Sequence, residues 1–127
     1  MGAHQSDIEQ EIQAKGLTAP RVTPADVEAA IASEHYFTAT QALVGLTRGP
    51  EWQATPKELD LLTFCVLVLR NGFTVTGESA CASPENYNAE LGRKIARQKA
   101  MDKIWPLLGF RLRDRISAGG IAVTCRD

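Results

Sequence analysis

Only three cysteines and two histidines occur among the 127 residues, and neither type is spaced to hold a metal. Cys65, Cys81 and Cys125 include no C-x-x-C pair, and His4 and His35 lie far apart, so no zinc site and no cofactor are expected. His35 reads instead as a structural residue near a helix end. No apolar run approaches the roughly 20 residues of a membrane span. The longest, Leu61 to Leu69, is short and contains Thr63. With no signal-peptide pattern and so few cysteines, the expected setting is a reducing cytoplasm with no membrane partner. Catalytic patterns are also missing. Gly77-Glu78-Ser79-Ala80-Cys81 imitates the start of a nucleophile elbow, but the last glycine is replaced and no histidine follows. Neither Cys65 nor Cys81 has an evident base, so no catalytic residue is assigned and a non-enzymatic protein is expected.

What is present fits one α+β domain of modest size. The formal net charge of −1 conceals an asymmetry. Residues 1–60 hold 4 Lys+Arg against 9 Asp+Glu, a balance of −5, and residues 61–127 hold 10 against 6, a balance of +4. Such a split serves complementarity between segments or subunits, or an anion-binding face in the second half.

The most informative stretch runs from Leu62 to Cys81. Two strand-like runs, about 62–70 and 73–81, flank Asn71-Gly72, the dipeptide suited to a two-residue type I′ turn. Mirroring about that turn sets Leu69 against Thr74 and Cys65 against Glu78. One face then carries Phe64, Val66, Val68, Phe73 and Val75 and reads as core. The other carries Cys65, Leu67, Leu69, Thr74, Thr76 and Glu78, and Cys65 and Cys81 fall on opposite faces. A hairpin is not stable alone in water, so a helix must cover its core face. Its edges need partners, supplied by a short extra strand or by pairing between subunits; a homo-oligomer is expected.

Around the hairpin, Ser6 to Glu9 reads as a capping box opening a helix at about 7–15. Residues 1–22 form an N-terminal helical extension and linker, 23–118 the single domain, and 119–127 a tail or short strand that includes Ile121 to Cys125. Thr23-Pro24-Ala25-Asp26 starts a second helix, with Val27, Ala30 and Ile31 on one face, running to about His35–Phe37. Residues 38–54 read as a long loop with Trp52 as an anchor, and Thr55 to Glu58 as a capping box for a turn or two of helix. Ser83-Pro84-Glu85-Asn86 is a turn leading into a long helix, about 88–105, capped by Ser83 or Asn88. Its row Gly92, Ala96, Ala100, Ile104, Leu108 is small enough for close packing. Pro106 should kink or end it, and a basic helix follows at about 107–117 with Arg111, Arg113 and Arg115.

Glu78, set among apolar neighbours and hydroxyls, is the residue most in need of an explanation. One reading is a structural salt bridge to Arg93 or Arg97 from the following helix. The other is ligand recognition. In that reading Glu78 accepts hydrogen bonds from a base or ribose, and Thr74 and Thr76 add neutral bonds. Ser79 joins them if Gly77 marks a bulge. Ser83 and Asn86 lie where a helix N-terminus offers backbone N–H groups, and Arg93 and Arg97 hold phosphates.

The block from Leu62 to Arg97, with the strings NGFTVTGESAC, SPEN and GRKIAR, followed by Lys103-Ile-Trp-Pro-Leu-Leu-Gly-Phe110, closely resembles a family of small phage and prophage proteins. The family is nicknamed after phage gene products forty-nine and sixty-six, and the resemblance covers about 23–115. Tyr87-Asn88 stands where the family pattern has Phe-Asp, which keeps a capping side chain in place. The resemblance implies a phage accessory protein acting inside a bacterial host, and it carries no catalytic residues or substrate to transfer. By analogy with small accessory proteins of this sort, the leading expectation is a binding protein that sequesters a small anionic or nucleotide signal in counter-defence. The alternatives are an inhibitor of a host protein, using an apolar patch around Phe37 and Trp52, and a nucleic-acid-binding accessory factor. The last is disfavoured by the slightly negative net charge and by the lack of a reader motif.

Overall fold

A computed structural model describes residues 2–46 and 56–119, with side chains from Asp7 onward. Trp52, Thr55 and Ile121 to Cys125 lie outside the described residues. The contacts divide the chain into two compact units: Met1–Ala30, resuming at Asp102, and Ile31–Met101. Among the described residues, no helix is long and apolar enough to cross a membrane.

In the first unit, α1 (Gly2–Ala14) begins upstream of the expected capping box, so Ser6 lies within the helix. Gly16 ends its last turn in the left-handed conformation, φ 65°. Arg21, in the linker, grips Glu9 of α1 through two hydrogen bonds of 2.7 Å. α2 (Pro24–Ala29) opens with the expected reciprocal cap: Thr23 Oγ1 accepts from the Asp26 N–H, and Asp26 accepts from the Thr23 N–H. α5 (Ile104–Ser117) contributes the buried Ile104 and Leu108.

The second unit corrects two expectations. α2 ends at Ala29 and does not run to His35; residues Ile31–Thr38 form a strand, β1. Here the β-branched and aromatic residues Ile31, Tyr36, Phe37 and Thr38 outweigh the helix-like spacing of Val27, Ala30 and Ile31. Residues 39–46, expected in a loop, form α3 (Ala39–Leu46). Its start is a second reciprocal cap: Thr38 Oγ1 accepts from the Gln41 N–H, and Gln41 Oε1 accepts from the Thr38 N–H. Thr40 then reaches Asp60 in the 3₁₀ turn Lys57–Leu61 that leads into β2 (Leu62–Leu69).

β3 (Thr74–Ala80) completes an antiparallel sheet of order β1-β2-β3. The hairpin register is one residue away from the expected one: Leu67 faces Val75, Cys65 faces Gly77 and Phe64 faces Glu78. The turn explains the slip. Asn71 does not take a positive φ, because its side chain accepts the Phe73 N–H at 3.0 Å, and only Gly72 is left-handed, φ 91°. The Gly72 N–H bonds to the Leu69 carbonyl and the Leu69 N–H to the Phe73 carbonyl. The result is a three-residue loop with a glycine bulge, where a two-residue type I′ turn was expected. A slip of one residue exchanges the faces of one strand relative to the other. Thr63, Cys65, Leu67, Leu69, Val75, Gly77 and Ser79 therefore form the buried face, and Phe64, Val66 and Val68 lie on the other. Cys65 and Cys81 now share a face, yet four ladder positions, about 13 Å, separate them, and both are free.

α4 (Ala89–Asp102) covers that buried face. Asn88 is its cap, its Oδ1 accepting the Leu91 N–H at 2.9 Å. The expected small-residue row lies inward: Gly92, Ala96 and Ala100 are buried. A Cβ on Gly77 would overlap the Ala96 carbonyl oxygen and stand 2.5 Å from the Ala100 amide nitrogen, so helix and strand meet backbone to backbone. The helix stops at Asp102, four residues before Pro106, whose ring would collide with the carbonyl at that position in a continuous helix. Pro106 then sits in the first turn of α5, where its missing N–H costs nothing.

Candidate functional site

Of the side chains expected to form a site, the sheet brings three together. Thr74, Thr76 and Glu78 project from one face of β3, all exposed, on the side away from α4. The ladder aligns them in rows: Ser33–Val68–Thr74, His35–Val66–Thr76 and Phe37–Phe64–Glu78. Glu78 is thus beside Phe64, and Cys65 is on the opposite face. Phe37 and Phe64 stack with ring centroids 5.4 Å apart and planes 22° off parallel. His35 belongs to this strand face and shares a 3.0 Å hydrogen bond with Ser33. The face is therefore an apolar floor of valines and phenylalanines with a row of two hydroxyls and a carboxylate along one side.

The remaining expected residues lie elsewhere. Ser79 is buried on the helix-covered face opposite Thr63, and Gly77 introduces no bulge that would turn it around. Ser83 and Asn86 belong to the 3₁₀ turn at Pro84–Asn86, where Ser83 Oγ donates to Glu85 at 2.9 Å. Together with the Glu85 backbone amide, which contributes most, this bond lowers the Glu85 pKa. Arg93 is exposed on α4.

Arg97 does form an ion pair, but with a different carboxylate from the one expected. Its Nε and Nη2 donate to the two oxygens of Glu34 at 3.1 and 2.9 Å, and Nη1 donates to Met101 Sδ at 2.8 Å. Glu34 also accepts from the Tyr36 hydroxyl at 2.8 Å. The guanidinium, and secondarily the phenol, hold the Glu34 carboxyl below its ordinary range. Burial first and the neighbouring Glu34 second push the Tyr36 phenol up, and burial pushes the Cys65 thiol up. This cluster lies under α4 and ties the helix to β1. Its paired charges and protonated thiol suit architecture better than nucleophilic chemistry.

Phe64 reaches the open face through the register slip, and His35 and Phe37 are the members of that face that a site built on the hairpin alone omits. The reciprocal cap Thr38-Ala39-Thr40-Gln41 is the signal that could have found them, because it forces a helix start at 39 and so leaves 31–38 for a strand.

The fold and this face define a small α+β protein with a polar-edged, aromatic-floored sheet surface. The chain belongs to the phage protein family described as N4 Gp49/phage Sf6 gene 66, whose model matches residues 22–116. That range runs from the residue before the α2 cap to the last turn of α5, so it contains the whole sheet and the helix that covers it. No curated protein matches the chain, and no solved structure matches it.

Proposed function

We propose that the protein is a non-enzymatic, phage-encoded accessory protein that sequesters a small nucleotide-class ligand on the open sheet face, in counter-defence. The observation that carries this reading is the exposed row Thr74, Thr76 and Glu78 beside the stacked Phe37 and Phe64. Hydroxyls donate and accept, and a carboxylate accepts from ring N–H or ribose O–H groups. An aromatic floor offers a flat apolar surface to a base. The carboxylate repels bare phosphate, so this face reads the base and ribose end of a ligand. Arg93 lies on α4, which covers the opposite face of the sheet, and takes no part in this reading.

The test is thermal unfolding with a panel of nucleotides and cyclic nucleotides, and with inorganic phosphate as the control. A ligand present at 100 times its Kd stabilises the folded state by about 2.7 kcal/mol. At least one panel member should raise Tm, phosphate should not, and Glu78→Gln and Thr76→Val should each remove the shift. No shift with any nucleotide would contradict the proposal. Binding to single-stranded nucleic acid with a steep salt dependence would favour the accessory-factor reading instead. Capture of a host protein dependent on Phe37 would favour the inhibitor reading.

A further inference from the structure

The aromatic pair on the open face has a direction. Phe37 and Phe64 are register partners on β1 and β2, and their ring centroids lie 5.4 Å apart with planes 22° off parallel. Two nearly parallel rings so close cannot lie edge to edge in one plane, where carbon contact alone requires about 6 Å between centres. They stand with their faces turned along the row, so one face of Phe64 meets Phe37 and the other is turned toward β3. Neighbouring strands are about 4.8 Å apart, close to the spacing of stacked rings. The third place in the row is therefore the next step of the stack. It belongs to Glu78, which has no ring to fill it.

What borders that place is polar. Thr76 and Glu78 project from β3 on this face, both exposed, and their side chains have no hydrogen-bond or ion-pair partner among the described residues. Val75 and Gly77 alternate with them and are buried on the α4 side. A planar group that stands against Phe64 therefore presents its edge to a carboxylate and a hydroxyl two residues apart on one strand. A carboxylate only accepts, at two oxygens, whereas a hydroxyl also donates.

We infer, on the footing of the nucleotide binding proposed above, that the ligand is a guanine nucleotide whose base stacks on Phe64 as the third member of the row. The pairing edge of guanine carries two adjacent donors, N1–H and the N2 amino group, followed by the O6 acceptor. The two donors meet the two oxygens of Glu78, and the Thr76 hydroxyl donates to O6. Adenine and cytosine each set a donor beside a ring nitrogen that accepts, and uracil sets its one donor between two carbonyls. Each of those edges turns a lone pair toward the carboxylate, which adds repulsion to the lost bond. Hypoxanthine keeps N1–H and O6 but lacks the amino group, so it forfeits one of the two bonds to Glu78. Phe64 thus holds any base, and Glu78 selects among them.

Isothermal titration calorimetry with cyclic GMP, cyclic AMP and cyclic IMP tests it, because the three share one ribose and phosphodiester and differ only in the base. The wild type should bind cyclic GMP at least about tenfold more tightly than either of the others. Glu78→Gln should close the gap, since its amide offers one acceptor and one donor and suits adenine better than guanine. Glu78 is exposed, so this variant should keep the circular dichroism spectrum and cooperative unfolding of the wild type. Phe64→Leu should weaken all three ligands to a similar degree. Cyclic AMP or cyclic IMP binding as tightly as cyclic GMP, or a gap that persists in Glu78→Gln, would overturn the inference and leave nucleotide binding on this face standing. Affinity for cyclic GMP unchanged in folded Phe64→Leu would overturn it too. Binding by none of the three would also overturn it, and the rest of the nucleotide panel then decides the wider reading.

Discussion

Replacing Gly77 by alanine perturbs the closest contact in the sheet-and-helix unit. The new methyl would meet the backbone of α4 at Ala96 and Ala100, the latter at 2.5 Å, where ordinary contact begins at 3.4 Å. Backbone cannot rotate aside as a side chain can, so α4 must lift by nearly an ångström. A gap of that size forfeits about a quarter to a half of the attraction between the surfaces it opens. Overpacking of this kind costs typically about 1–3 kcal/mol, and occasionally more. Alanine recovers about 0.4–1 kcal/mol by restricting the unfolded chain. The upper part of the overpacking range applies because the obstacle is backbone, which leaves a net loss of about 2 kcal/mol. That is a sizeable fraction of a typical stability of about 5–15 kcal/mol. For a chain of this length it lowers Tm by roughly 8 °C. Urea unfolding followed by circular dichroism measures it, with Gly45→Ala as the counterpart. Gly45 lies inside α3 with nothing near its missing Cβ, so alanine there should stabilise by about 0.5–1 kcal/mol. A Gly77→Ala protein within about 0.5 kcal/mol of wild type would refute the backbone-to-backbone packing of α4 on β3.

Three further outcomes are expected. Glu34 titrates below its ordinary range in the folded state, so the unfolded chain binds more protons and stability falls as acid protonates the carboxyl. Glu34→Gln should therefore be less stable than wild type at pH 7, and the gap should close as pH drops below about 4. A gap that persists unchanged into acid would rule out the ion pair with Arg97 as its origin. Gly72→Ala, at φ 91°, should lose about 1–2 kcal/mol from strain at the turn, read by the same unfolding assay. Asn88→Ala should lose about 1 kcal/mol by leaving the Leu91 N–H uncapped, with faster amide exchange confined to the first turn of α4.

Much of the fold was legible where local chemistry is self-sufficient. The Thr23-Pro24-Ala25-Asp26 cap, the two strand runs around Asn71-Gly72, and the inward row Gly92, Ala96, Ala100 all declare themselves within a few residues. β1 did not, because Ser33, Glu34 and His35 interrupt its apolar pattern and Glu34 is explained only by Arg97, 63 residues away. α3 did not, because Gly45, Gly49 and Pro50 read as loop and none of its residues is buried, although Ala39, Ala42, Leu43 and Leu46 carry the i, i+3, i+4, i+7 spacing of a helix face. The hairpin register turned on whether Asn71 or its side chain satisfied the turn. When Asn71 bonded the Phe73 amide, every residue of β2 moved to the other face relative to β3. That slip separated Glu78 from Cys65 and left Thr74, Thr76 and Glu78 together beside Phe64. The grouping of these three polar residues survives, because residues two apart on one strand share a face in any register.

The most direct test of the account is a backbone NMR titration of the protein with the nucleotide and cyclic-nucleotide panel. The proposed function predicts that a bound member shifts the amides of Thr74, Thr76 and Glu78 together with those of His35 and Phe37. No perturbation by any panel member, or shifts confined to the exposed face of α4 around Arg93 and Lys94, would contradict the assignment of the open sheet face as the functional surface.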